Sequence, residues 1–151
     1  MSILDRLKSD MIEATKARES ERLGVIRFVR SEMKNRAIEL GRDLKDEDAI
    51  EVLARVAKRH REAIDQFGPA GRDDLVAKER ASLDVVSQYL PEQLSEDEIA
   101  SLVDEAITES GATSVREMGL VMKAVMPKMK GRADGKVVKA MVQRRLAGGE
   151  G

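Results

Sequence analysis

The sequence contains no cysteine and no tryptophan. Without thiols, a disulfide framework, an iron–sulfur cluster, a thiolate zinc site and a cysteine nucleophile are excluded together. The single histidine, His60, removes every mechanism that needs two imidazoles, including the H-E-x-x-H metalloprotease arrangement and most catalytic zinc sites. Aromatic residues are 2% of the chain (Phe28, Phe67 and Tyr89), which leaves almost nothing to stack on unpaired bases. No apolar run approaches the ~18 residues of a membrane span. The opening MSILDRLKSD lacks a basic stretch followed by an apolar run, and Ser2 stands where myristoylation requires glycine. A cytoplasmic protein without membrane contact is therefore expected.

What is present is a chain of 151 residues, 42% hydrophobic and 36% charged, long enough for a real core under a charged surface. Apolar residues recur at the helical period almost everywhere, and no stretch alternates as a half-buried strand does, so an all-α fold is expected. Ser2, with Asp5 as its capping-box acid, opens a first helix with Leu4, Leu7, Met11 and Ala14 inside. A second runs from Ser20 through Leu23, Ile26, Val29, Met33, Ala37 and Leu40 to a left-handed cap at Gly41. Asp46 is the expected N-cap of a third, striped by Ile50, Leu53, Ala57, His60, Ile64 and Phe67 and stopped by Gly68-Pro69. A fourth covers Asp73 to Tyr89, and Pro91 marks the junction, since residue 90 is biased out of the α region.

Beyond it, Ser95 with Glu98 and Ser114 with Glu117 read as capping boxes of two helices that end at Gly111 and Pro127. Asp134 opens a last helix with Val137, Val138, Met141, Val142 and Leu146. The expected organisation is a four-helix part over residues 1–90, a three-helix domain over 91–147, and a disordered tail over 148–151.

The charge is segregated beneath a net of −1. Between Glu92 and Glu109 stand the acids Glu92, Glu96, Asp97, Glu98, Asp104, Glu105 and Glu109 with no base. From Gly119 to Ala147 stand Lys123, Lys128, Lys130, Arg132, Lys136, Lys139, Arg144 and Arg145 against Asp134 alone. The acids that open their helix suit its macrodipole. The bases surround a helix end, a glycine loop and the next helix start, where backbone N–H groups beside cations suit phosphate.

No catalytic constellation accompanies them. Gly131-Arg132-Ala133-Asp134-Gly135-Lys136 places three residues between its glycines where a phosphate loop needs four, and Val137 replaces the hydroxyl. Asp43, Asp46, Glu47 and Asp48 fail as a calcium loop because Glu51 occupies the turn-glycine position. His60, on an inner stripe, reads as a packed, hydrogen-bonded histidine, and no G-x-S-x-G elbow occurs. Neither metal nor cofactor is expected. Met118, Met122 and Met141 read as core, with an adaptable methionine-rich binding face as the alternative.

Three ordered segments, Tyr89-Leu90-Pro91-Glu92-Gln93-Leu94-Ser95-Glu96-Asp97-Glu98-Ile99, Met118-Gly119-Leu120-Val121-Met122-Lys123 and Gly131 to Val138, together with Phe67 to Leu75, resemble the YqeY family. These small bacterial proteins are similar to the C-terminal tail of GatB, the B subunit of the glutamine-dependent aspartyl/glutamyl-tRNA amidotransferase. The resemblance implies an all-helical protein whose smaller C-terminal part contacts tRNA by shape and backbone. The family is associated with carbon–nitrogen ligase activity using glutamine as amide donor, but this chain lacks the catalytic portion of that enzyme.

Carried over, the implied contact elements are the helix holding Gly119 and Lys123 and the loop and helix start holding Lys130, Arg132 and Lys136. With the neighbouring Lys128, Gly131, Gly135 and Lys139 they form the candidate RNA-binding set. The expected function is a non-catalytic tRNA-binding accessory module. The alternative is a helical adaptor for an aminoacyl-tRNA-modifying enzyme.

Overall fold

The computed structural model describes residues 1–149. It contains seven α-helices: α1 (Ile3–Lys16), α2 (Ser20–Leu40), α3 (Asp46–Phe67), α4 (Asp73–Ser87), α5 (Glu96–Ser110), α6 (Met118–Met129) and α7 (Gly135–Gly149). A 3₁₀ turn at Val115–Glu117 precedes α6, and no strand occurs among the described residues, as the helical period requires. Contacts divide the chain into two compact units, Met1–Leu90 and Pro91–Gly151.

In the first unit, α3 and α4 form the most extensive pair, α1 packs on α2, and α2 packs on both α3 and α4. The core gathers Leu7, Ile26, Val29, Met33, Leu53 and Val56, all essentially inaccessible, with Val86 from α4 and Tyr89 just beyond it. Spacings of three and four put Ile26, Val29 and Met33 on one side of α2, which forms its buried stripe. Ser2 Oγ accepts from Asp5 N at 3.1 Å, satisfying one of the four donors a helix start leaves unpaired. Gly41, at φ +68°, ends α2 in the left-handed region, where a Cβ would be strained.

In the second unit, α5, α6 and α7 contact one another pairwise. Val103, Val121, Val125, Met129, Val138 and Val142 are fully buried among them. Met118 and Met122 pack against this core and Met141 joins it, so these methionines do not form an open binding face. No polar or charged residue is buried among the described residues of either unit.

Several helix ends differ from expectation. Lys45, not Asp46, caps α3; Asp46 Oδ1 instead accepts from Ile3 N at 3.0 Å, tying the start of α1 to α3 across 43 residues. Asp48 Oδ2 accepts from Lys45 N in its place. α4 stops at Ser87, where bonds to the third preceding carbonyl tighten the chain as far as Leu90. Ser114 makes no side-chain cap; Glu117 reaches back to accept from Thr113 N and Oγ1. Pro127 lies inside α6, close enough to its end that the missing N–H breaks only the last turn. α7 continues through Gly148 to Gly149, where a disordered tail was expected, and residues 150 and 151 lie outside the described residues.

His60 is half-buried, its Nδ1 2.6 Å from Glu79 Oε2, and so joins α3 to α4 as a hydrogen-bonded histidine. Tyr89 donates its hydroxyl to Asp10 Oδ2 at 2.5 Å, and the Arg6 guanidinium covers its ring at 5.1 Å. Burial, reinforced by the Asp10 carboxylate, pushes the Tyr89 phenol up from 10.0 to about 12. A raised acid favours its neutral form in the fold, so this contribution to stability is complete below about pH 10 and lost as pH climbs toward 12. Tyr89 is the only tyrosine, so phenolate absorbance reports it alone. The native chain should titrate near 12 and the urea-unfolded chain near 10, and Asp10→Asn should lower the native midpoint; coincident native and unfolded midpoints would contradict the packing.

Candidate functional site

The expected contact segment centres on the turn between α6 and α7. Gly131 adopts φ +74°, which lets Arg132 N and Ala133 N both donate to Met129 O, at 2.8 and 3.2 Å. Its own carbonyl accepts from Gln93 Nε2 at 2.8 Å, and Gln93 Nε2 also donates to Pro91 O at 2.8 Å. Leu94 N donates to Arg132 O at 2.8 Å, and Arg132 Nε to Glu92 O at 3.3 Å. Residues 91–94 and the 131–132 turn therefore clasp each other through main-chain and amide groups.

This geometry gives part of the expected set a structural role as well. Gly131 is buried and serves the turn, and Arg132 commits one guanidinium donor, Nε, to a carbonyl. At the start of α7, Asp134 Oδ1 accepts from Lys136 N at 3.0 Å and Asp134 O from Val138 N at 3.1 Å. A carboxylate thus sits at the helix terminus where a phosphate was expected, and like charge opposes an incoming anion there. Gly135 is not demanded by close packing, because an added Cβ would meet only Met126 Cε, at 3.8 Å.

Helical phase sorts the remaining cations. Each residue advances about 100° around its helix, so Lys123 and Lys128 lie about 140° apart on α6. Lys128 faces α5, its Nζ 3.9 Å from Glu105 Oε1 and 3.7 Å from Glu109 Oε2. Arg145, about 180° from Lys136 around α7, likewise reaches Asp104 Oδ1 at 3.5 Å. These two cations meet the acidic helix of their own unit, although such exposed pairs add only about 0–1 kcal/mol each.

Lys123 lies on the other side of α6 with Gly119, and Lys136, Lys139 and Arg144 share an outward arc of α7 of about 140°. All four side chains are exposed and carry no ion pair among the described residues. Lys130 is exposed. Arg144 was absent from the expected set, yet its spacing of eight from Lys136 places it on the same face. The same two helices also expose apolar groups, with Leu120 54% and Val137 40% accessible. Among the described residues no group of histidine and carboxylate side chains is arranged to hold a metal.

The class defined here is a small all-α protein whose C-terminal unit turns an acidic helix toward part of its basic charge and leaves the rest facing solvent. The chain belongs to the YqeY-like protein family, whose model matches residues 4–146. It is similar to altered inheritance of mitochondria protein 41, mitochondrial, of Pyrenophora tritici-repentis: 33% identical over 145 residues, covering 93% of this chain and 79% of that protein. The protein of the same name in Saccharomyces cerevisiae is 27% identical over 117 residues, 73% of this chain and 63% of the relative. A likeness to a tRNA-modifying enzyme also appears. One component of the glutamyl-tRNA(Gln) amidotransferase of Thermococcus gammatolerans is 37% identical over 57 residues, 35% of this chain and 9% of that polypeptide.

The fungal relatives overturn the expectation of a cytoplasmic protein, because they are named as mitochondrial. Targeting is carried by segments separate from the folded body, so the composition of helices does not assign a compartment. No helix among the described residues is long and apolar enough to cross a membrane.

Gly119 supplies a test of what its face is for. It lies within α6, and a Cβ there would meet nothing within 4 Å. Gly119→Ala should therefore raise stability by about 0.5–1 kcal/mol through helix propensity. A urea melt that shows destabilisation would reveal a packing role for the glycine.

Proposed function

We propose that residues 91–147 form a non-catalytic tRNA-binding domain, carried by the larger helical domain of residues 1–90. The observation that carries this reading is the division of the basic segment: Lys128 and Arg145 meet α5, while Lys123, Lys136, Lys139 and Arg144 face solvent on α6 and α7. Cations at helical spacing on a convex face match phosphates along a backbone, and the scarcity of aromatics argues for recognition by shape over base stacking. The segment shared with a component of a tRNA amidotransferase supports a tRNA substrate over other polyanions. An aminoacyl-tRNA-modifying enzyme is the corresponding partner, and it would supply the carbon–nitrogen ligase chemistry associated with the family.

If about four phosphates are engaged, the logarithm of affinity should fall with the logarithm of salt concentration at a slope of about −3 to −4. Titration of the purified chain with total tRNA, with duplex DNA as competitor, measures it. Lys136→Glu with Lys139→Glu should weaken binding at least tenfold, whereas Lys16→Glu, on the exposed surface of α1 in the other unit, should leave it unchanged. Equal losses in both variants, or affinity indifferent to salt, would refute the proposal.

A further inference from the structure

The first unit holds an open cavity of about 770 Å³ running along α1 and α2 and bounded by Asp43 and Leu44. Its floor is apolar, made by Leu4, Met33 and Ala37. Its walls are basic: Lys8 stands on α1, and Arg27, Arg30 and Lys34 stand at steps of three and four on α2. That spacing aligns the three α2 cations along one edge over about 10 Å. Only Asp5 and Asp43 oppose them.

Some cations of the first unit are paired with carboxylates among the described residues and others, those of this trough included, are not. Elsewhere in the unit Arg22, Arg36, Arg42, Arg59 and Arg72 each meet a carboxylate. Lys8, Arg27 and Lys34 have no ion pair among the described residues, and Arg30, half-buried, donates to Met11 Sδ at 2.9 Å. A thioether is a weak acceptor, so most of the Arg30 donors remain uncommitted at the edge of an apolar surface. An unpaired guanidinium held there is favourable toward a ligand that brings carboxylates together with apolar side chains.

We infer that the α1–α2 trough binds an acidic amphipathic helix of a protein partner. A helix laid along two others presents an apolar stripe to the Leu4, Met33 and Ala37 floor and flanking glutamates or aspartates to the Lys8 and Arg27–Lys34 walls. The stretch from Arg27 to Ala37 is about 15 Å long, three turns of such a ligand. A polynucleotide matches the walls but has no apolar stripe for the floor. The site lies in the first unit, so it stands independently of the tRNA reading, which rests on α6 and α7.

The test uses the full chain and a fluorescent helix-forming peptide of about 15 residues, with leucines on one face and glutamates flanking them, beside a scrambled peptide of identical composition. Anisotropy should show the patterned peptide binding at least tenfold more tightly than the scrambled one. Arg27→Glu with Lys34→Glu should abolish that preference, and Lys123→Glu with Lys139→Glu should not alter it. Both altered trough residues are exposed, and unchanged urea midpoints would exclude misfolding; Lys8→Glu gives a second variant on the other helix. Equal binding of both peptides, or full binding by the trough variants, would overturn the inference. So would loss of tRNA binding in the trough variants with tRNA displacing the peptide, which would make the trough a nucleic-acid surface. Self-association of the unaltered chain, reversed by the trough variants, would overturn it in favour of a second copy.

Discussion

The second unit depends on the clasp between Gln93-Leu94 and Gly131-Arg132. A turn of positive φ between two helices exposes several backbone donors and acceptors, and each left unpaired in a partly buried position costs about 1–3 kcal/mol. Here they are satisfied by two donors onto Met129 O, by Gln93 and Leu94 from 38 residues away, and by the Asp134 cap. Once the turn is closed in this way, the orientations of α6 and α7 follow, and with them the direction in which every basic side chain leaves the body.

The acids of α5 and the bases of α6 and α7 then acquire a joint meaning. Read as composition, the two runs suggest a tail of one sign followed by a tail of the other. Packed as three helices, they become an internal counter-charge: Glu105 and Glu109 receive Lys128, Asp104 receives Arg145, and the bases turned the other way keep their field. The exposed portion is smaller than the basic run, but it is ordered by helical phase, and the same two helices expose Leu120 and Val137.

Much of the fold was legible because its determinants are local. Ser2 and Ser95 cap as their spacing to Asp5 and Glu98 requires, and Gly41 and Gly111 end their helices with positive φ. Errors arose where a distant group competed. Asp46 looked like a cap until Ile3 N claimed its carboxylate, and Ser114 makes no side-chain cap because the Glu117 carboxylate folds back to accept from Thr113. Pro127 was read as a stop, although a proline in the last turn sacrifices little. The candidate site was legible in sign but not in direction. Phase alone separates Lys123 from Lys128, whereas the engagement of Gly131 O and Arg132 Nε required Gln93 and Glu92, whose nearness no local pattern announces. The unpaired cations of the α1–α2 trough were invisible for a similar reason, since residues 1–90 balance in charge and only packing shows which arginines find a carboxylate.

Segregated charge at near-zero net has a further mechanical consequence. Seven negative charges over residues 92–109 and a net of seven positive ones over 119–147, two of the bases paired with α5 and others left to solvent, make an electric dipole, and a dipole in the field of a polyanion experiences a torque before any atoms meet. The unit would rotate its α6–α7 side forward within roughly one screening length, about 8–10 Å at physiological ionic strength. Orientation during approach is thereby built into the body itself, without the indiscriminate adhesion that a strongly cationic protein brings.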